Sequence, residues 1–418
     1  MRTRTALAGA ALAVTALLTG CFGGDSEPGI TDERIVIGSV LALNGPASGL
    51  GKGMRAGLEA ALRGREVRGR RIELRALDDS YQPPKAAEST RRLLDEPPGV
   101  FMMAGNVGTP TAQVTLPILK EAGVPAVGFF TGAGVLRPGD GGPILNYRAS
   151  YRQEVATVVE AALAEGVQPG EVCAYVQNDG YGMAGIIGVR EALSRAEAPE
   201  PLLDRYDEIL ARSGERPVRN GIGPVGVYRR NTTDIEPGYR SLKEWEAASG
   251  QRCRLVVTVG AYGNIAHFVR YAEQQEEAWV VSAVSFTGAD SFRSDLARYG
   301  IENRVLMTQV VPSLDADLAI VDEARQALGP DFGFVSLEGY IVGRMILRLL
   351  EEMPGDLTRE NFMAHAREAR FDLGGVAIDF TRDGNQASRF VALNQLTPRG
   401  WVAVDASAGV WQQLLAER

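Results

Sequence analysis

Two doubly wound, Rossmann-like α/β lobes are the architecture this sequence predicts, on three observations. From Arg34 onward short β-branched runs alternate with longer amphipathic stretches, the pattern of parallel strands joined by crossover helices. The alternation runs through one series and then repeats from Ser150; a single wound sheet of about nine strands would be unusually large. A helical section without strands and a closing β section follow, which suits lobes that each take chain from two places.

The elements read in order as follows. Residues 1–20 carry Arg2 and Arg4, an apolar run from Ala6 to Leu18 and no acidic group, the n-region and h-region of an export signal. A permanent membrane helix takes roughly 20 apolar residues, so this shorter run reads as a leader and not as an anchor. The run ends in Leu18-Thr19-Gly20-Cys21, followed by Gly, Ser and Pro in a tether over 21–33. The first lobe then has strands at 35–43, 71–77, 100–104 and 126–130, with helices at 54–62, 85–94 and 112–122, the last containing Pro117.

In the second series, helix 151–164 leads to strand 172–177, helix 186–196, strand 225–229, helix 239–247, strand 255–259, helix 264–273 and strand 280–286. After strand 305–311 come helices 318–328, 337–353 and 359–369, expected to return over the first lobe. Strands at 376–380, 389–396 and 401–404, with a turn at Thr397-Pro398-Arg399-Gly400, are expected to complete the second. The first lobe is thus expected to hold 34–147 with 312–372, and the second 148–311 with 373–418.

The chain has 418 residues, 45% hydrophobic, with 44 Lys plus Arg against 52 Asp plus Glu and a net charge of −8. That balance lacks the clustered uncompensated cations a phosphate backbone requires, so nucleic acid is not an expected partner. Two histidines and three cysteines leave little material for a zinc site or a histidine-dependent active site. No enzyme activity, cofactor or metal is expected. Cys173 and Cys253, each at or just before a strand, either pair or remain free buried thiols.

Candidate motifs fall at strand-to-helix turns. Gly45 through Gly53 stands where a phosphate loop would, but Met54 replaces the third glycine of a dinucleotide fingerprint and Gly53 the Ser or Thr of a phosphate loop. It remains either a ligand-facing turn or a structural one. Asp78-Asp79 reads as a cap and turn in preference to a metal pair. His267 and His365 lie in helices without a second ligand type at metal spacing, and read as packed or solvated. Thr109 either caps a helix or holds an anion, and Phe130-Thr131-Gly132 ends a strand on the same sheet edge, where open α/β sheets bind ligands. Tyr181 and Tyr262 occupy equivalent turns in the second lobe, each a stacking face with a hydroxyl or a plain surface tyrosine.

The order of residues resembles the solute-binding proteins of ABC transporters in the leucine/isoleucine/valine-binding group, with the type 1 periplasmic-binding-protein fold. The resemblance lies in Ile35-Val36-Ile37-Gly38 leading into Leu43-Asn44-Gly45-Pro46, then Gly51, Gly57, Asp78-Asp79, Gly105 to Thr109, Tyr181-Gly182 and Gly260-Ala261-Tyr262. The Leu18-Thr19-Gly20-Cys21 tetrad likewise resembles a bacterial lipobox, which implies a lipid on Cys21. By this resemblance two lobes, joined by three hinge crossings, close on a ligand, and a membrane permease recognises the closed form.

Thr109 and the turn Phe130, Thr131, Gly132 would hold a carboxylate, with Tyr181 and Tyr262 facing it from the second lobe. Two departures stand out: Ser285 occupies the place of the carboxylate that pairs with a ligand ammonium, and Gly132 that of a hydroxyl residue. A neutral hydroxyl does not replace a buried opposite charge, so amino acids, amides and amine-free carboxylates all stay open. The expected function is an extracytoplasmic, lipid-anchored, monomeric receptor that delivers a small polar solute to an ABC permease. The alternative is a sensor of the same fold that presents its closed form to a signalling partner.

Overall fold

The computed structural model describes residues 27–139, 141–213, 218–382, 384–404 and 409–416. The export segment 1–20 and Cys21 lie outside the described residues. The first series is β1 (Arg34–Leu41), α1 (Ser48–Leu62), β2 (Glu66–Val67), β3 (Arg70–Asp78), α2 (Pro83–Asp95), β4 (Met102–Ala104), α3 (Thr109–Glu121), β5 (Ala126–Val127) and β6 (Ile144–Leu145). Its sheet has the order β2-β3-β1-β4-β5-β6 and is parallel except for β2.

The second series is α4 (Tyr151–Ala164), β7 (Val172–Gln177), α5 (Gly180–Arg195), α6 (Glu200–Ala211), β8 (Val225–Tyr228), α7 (Glu236–Ser249), β9 (Leu255–Val259), α8 (Tyr262–Gln274), β10 (Val280–Ala283), α9 (Ala289–Arg298) and β11 (Val305–Gln309). Then follow α10 (Ala319–Leu328), α11 (Phe334–Glu352), α12 (Arg359–Glu368), β12 (Arg370–Asp372), β13 (Ala377–Asp379), β14 (Ala392–Thr397), β15 (Gly400–Ala403) and α13 (Val410–Ala416). The second sheet runs β15-β14-β11-β10-β9-β7-β8, with β14 and β15 antiparallel.

Central strands are buried, as parallel strands covered on both faces must be: β7, β9, β10 and β11 of the second sheet and β4 of the first are buried throughout, and β1 is buried after Arg34. α11 lies against α1 so closely that a Cβ on Gly57 would collide with the Ser336 carbonyl, and one on Gly339 would sit 2.6 Å from Met54 O. Glycine is what lets these two helix backbones meet. Leu337, Ile341, Met345 and Leu349 on α11 are all fully buried, each worth about 2 kcal/mol of transfer free energy.

Three passages connect the sheets: β6 to α4, β11 to α10, and β13 to β14. They run side by side, with Tyr147 hydroxyl donating to Val310 O at 3.2 Å, Asn146 N to Asn385 O at 2.7 Å and Ser388 N to Tyr147 O at 2.9 Å. Ser150 caps α4 in a box with Gln153, so the first passage turns directly into a helix.

Several expectations change. Residues 376–380 do not join the second sheet: Ala377–Asp379 pairs with Arg370–Asp372 in a separate ribbon. The strand expected over 280–286 stops at Ala283, and Ser285–Thr287 forms a 3-10 turn ending in Gly288 at φ 91°, which redirects Phe286. α6 and α9 were not legible in the pattern. Cys173 and Cys253 form a disulfide across 80 residues, linking β7 to the approach of its neighbour β9. Among the described residues no helix is long and apolar enough to cross a membrane.

Candidate ligand-binding site

Parallel strands leave their carboxyl ends, and the first turns of the helices that follow, on one edge of each sheet. Tyr81 follows β3, Thr109 follows β4, and Phe130 to Gly132 follow β5. On the facing edge Tyr181 follows β7, Tyr262 follows β9, and Ser285 and Phe286 follow β10. The two edges face one another across a crevice, which the sheets share because the three passages lie alongside it.

Six of the seven expected residues meet there. Thr109 and Thr131 are buried, their hydroxyls 2.7 Å apart. Phe130 packs on Phe286 at 5.2 Å between ring centroids, and Tyr181 packs on Phe286 at 4.7 Å and on Tyr151 at 5.1 Å. Tyr81 reaches the same Phe286 ring at 6.1 Å. Gly132 accepts the Tyr151 N–H at 2.9 Å, and a Cβ there would lie 2.7 Å from that nitrogen and 2.8 Å from the ring. Its missing side chain is therefore what allows the first-lobe turn to touch the start of α4.

Tyr262 stands apart from this cluster. It is half-buried, and its hydroxyl accepts the Gly49 N–H across the crevice at 3.2 Å. Gln177 similarly donates to the Tyr81 hydroxyl at 3.2 Å, and Phe334 N donates to Asp290 Oδ2 at 3.1 Å. The lobes are closed against each other through these contacts.

The charged centre was not legible in the sequence. Arg148, in the first passage, is fully buried; its guanidinium lies 4.5 Å from the centroid of the Phe130 ring, a cation–π contact. Its Nε is 3.1 Å from Glu338 Oε1 on α11, and its Nη2 donates to the Ser285 hydroxyl. Its Nη1 has no hydrogen-bond partner among the described residues. Burial works against the arginine charge, but Glu338 and Glu154 outweigh it and raise its pKa. Burial pushes Glu338 up to about 7, with Arg148 pulling down and Glu154 adding to the rise.

Ser285 itself is not a substitute for a carboxylate, yet one arrives from elsewhere: Glu154 on α4 accepts from Ser285 N and from the Thr308 hydroxyl, both at 2.7 Å through Oε2, while its Oε1 is unpartnered. The carboxylate beside the β10 turn thus comes from the neighbouring helix α4. One local sign was available: Arg148 and Glu154 flank Tyr151 at a serine-capped helix start, in a stretch otherwise apolar or neutral save for the exposed Arg152.

The remaining motifs make contacts within the fold. Asp78 accepts from Leu43 N, Asn44 N and Ser80 N; burial pushes its pKa up, but Asn44 and Ser80 hold it down at about 2. Asp79, pushed up to about 7 by burial, accepts from Tyr81 N and so orients that ring. The Gly49–Gly53 stretch forms the first turns of α1, with Gly51 against the Ala42 backbone. His267 meets the Tyr299 hydroxyl at 3.2 Å. Among the described residues no group of three or more His, Cys, Asp or Glu is placed to hold a metal ion.

Comparison with known proteins gives consistent results. The profile of a family described as Periplasmic binding protein matches residues 34–205. A solved possible leucine/isoleucine/valine-binding protein from Rhodopirellula baltica is 33% identical, with a TM-score of 0.79, over 92% of this chain and 98% of that one. A fatty acid ABC transporter substrate-binding protein from Thermomonospora curvata is 18% identical, TM-score 0.73, over 92% and 95%. An ABC transporter solute-binding protein from R. palustris, in complex with 4-hydroxybenzoate, is 18% identical, TM-score 0.69, over 89% and 97%. At such identities the last two show the fold alone. No curated protein sequence matches the chain.

Proposed function

The chain belongs to the type 1 periplasmic binding proteins, and on that premise we propose that it is an extracytoplasmic receptor that captures a small polar solute by lobe closure and delivers it to an ABC permease. The solute is an amino acid, an amide or a related carboxylate, and leaves chemically unchanged. The observation that carries this reading is the crevice: hydroxyls of Thr109 and Thr131, rings from both lobes and a buried Arg148 with an uncommitted N–H converge where the two sheet edges meet.

A ligand that touches both edges favours the closed arrangement by its differential contacts, and the three passages absorb the backbone change. The lobes comprise 34–147 with 312–372, and 148–311 with 373–418; the protein acts as a monomer tethered by a lipid on Cys21. Mass spectrometry of molecules that copurify with the native protein identifies the solute. Small-angle scattering during its titration should show compaction. A tight ligand that leaves the radius of gyration unchanged overturns the closure reading.

A further inference from the structure

A cavity of about 710 Å³ adjoins the crevice, sharing Gly132 and Tyr151 with it. That volume accommodates a small organic molecule. Its wall combines the turn after β5, the first turn of α4, the end of α12 and the third passage, so it draws on chain from both sheets. Among the described residues of this wall are four arginines, Arg137, Arg152, Arg367 and Arg389, and no carboxylate; Asp140 and Asp383, near it in sequence, lie outside the described residues.

Arg137 is the most telling of the four. It is half-buried and spends its donors on neutral oxygens: Gln386 Oε1 at 2.7 Å, Ala133 O at 3.0 Å and Arg148 O at 2.8 Å. Arg367 donates to Gly142 O at 2.6 Å. Neither pairs with a carboxylate among the described residues, whereas Arg152 has Glu191 at 3.1 Å. Burial, and then Arg148, push the Arg137 pKa down to about 10, against the smaller upward pull of Tyr151 and Glu154. The amino end of the 14-residue helix α4 adds the positive end of its dipole.

We propose that this cavity seats the anionic end of the solute, an oxyanion of the carboxylate or phosphate class, held by Arg137, Arg367 and Arg389. The proposal rests on the receptor reading for the molecule that brings the anion, and on the arginines for the chemistry. It selects acids over neutral amides among the solutes named above. Because the wall comes from both lobes, an anion held here also favours closure.

Isothermal titration of the purified protein at low ionic strength, with citrate and inorganic phosphate as probes and glycerol as neutral control, tests this. Saturable binding of one anion, weakened by added salt, is expected, and which probe binds tighter separates carboxylate from phosphate. Arg137→Gln should weaken it about tenfold, as expected for one charge-assisted contact. The double variant Arg367→Gln/Arg389→Gln, on exposed side chains that leave folding intact, should weaken it as much or more, while Arg91→Gln on the exposed face of α2 should not. Absence of saturable binding by either anion, or binding indifferent to the cavity arginines, overturns the proposal. Scattering with saturating anion is the separate readout: arginine-dependent binding without compaction supports the anion site and overturns closure.

Discussion

Replacing Glu338 by Gln isolates the electrostatics of the buried cluster that α11 and the first passage share. Burial pushes the Glu338 carboxyl up to about 7 in the folded protein, partly offset by Arg148 at 3.1 Å. In the unfolded chain a glutamate titrates near about 4.3, so the full difference corresponds to about 4 kcal/mol at roughly 1.4 kcal/mol per pH unit, of which about 3 kcal/mol falls between about pH 5 and about pH 8. A raised folded value means the native state holds the extra proton. The associated stability is therefore fully present below about pH 4 and is lost as pH rises through about 7. Asp79 also titrates up at about 7, with the same sign, so the bare pH profile mixes the two. The difference between parent and Glu338→Gln removes Asp79 from the comparison. Urea unfolding at about pH 5 and about pH 8 should show the variant gaining about 3 kcal/mol relative to the parent between those conditions. Stability curves that run parallel, within about 0.5 kcal/mol, would refute the assignment of this charge cost to Glu338.

Three other outcomes are expected. Phe286→Ala removes the ring against which Tyr81, Phe130, Tyr151 and Tyr181 pack and should cost about 3–5 kcal/mol in denaturant unfolding; a loss under about 1 kcal/mol would mean that the ring is not packed as described. Reducing Cys173–Cys253 releases a constraint spanning 80 residues, worth about 4 kcal/mol by loop entropy, so thermal melts with reductant should shift down by roughly 5 °C. Equal melting points in both conditions would contradict this. Tyr262→Phe deletes the acceptor for Gly49 N across the crevice, a contribution of about 1 kcal/mol to the closed state; the affinity of the copurified solute should fall about fivefold, mainly through faster release, and an unchanged release rate counts against the latch.

The site was partly legible because strand-to-helix turns carry local signatures. Thr109 opens α3, Tyr181 follows an aspartate cap and Tyr262 opens α8, and each marks the carboxyl end of a parallel strand without any knowledge of its neighbours. Helix Tyr151–Ala164 and strands Val172–Gln177 and Leu255–Val259 have the bounds that their periodicity and capping predict. Phe286 was read as strand because Val280 to Phe286 is uniformly apolar or small; only the Gly288 conformation, φ 91°, bends the chain out of the sheet. Residues 376–380 carry an equally strand-like pattern, and choosing a ribbon over the sheet edge depends on which partner lies within reach.

By itself the sequence determined the alternation of elements, the repeat of two wound series and the turns that could face a ligand, because burial periodicity and helix caps are properties of residues a few positions apart. Only the tertiary structure decided that Arg148, Glu154, Ser285 and Glu338 share one buried centre, that Cys173 meets Cys253, and that four arginines from distant segments line one cavity. A buried charge is tolerable only when partners surround it, and those partners come from any part of the chain that the fold brings near. Beyond the Arg148 and Glu154 charges at the start of α4, their spacing in sequence therefore carries no mark of the contact.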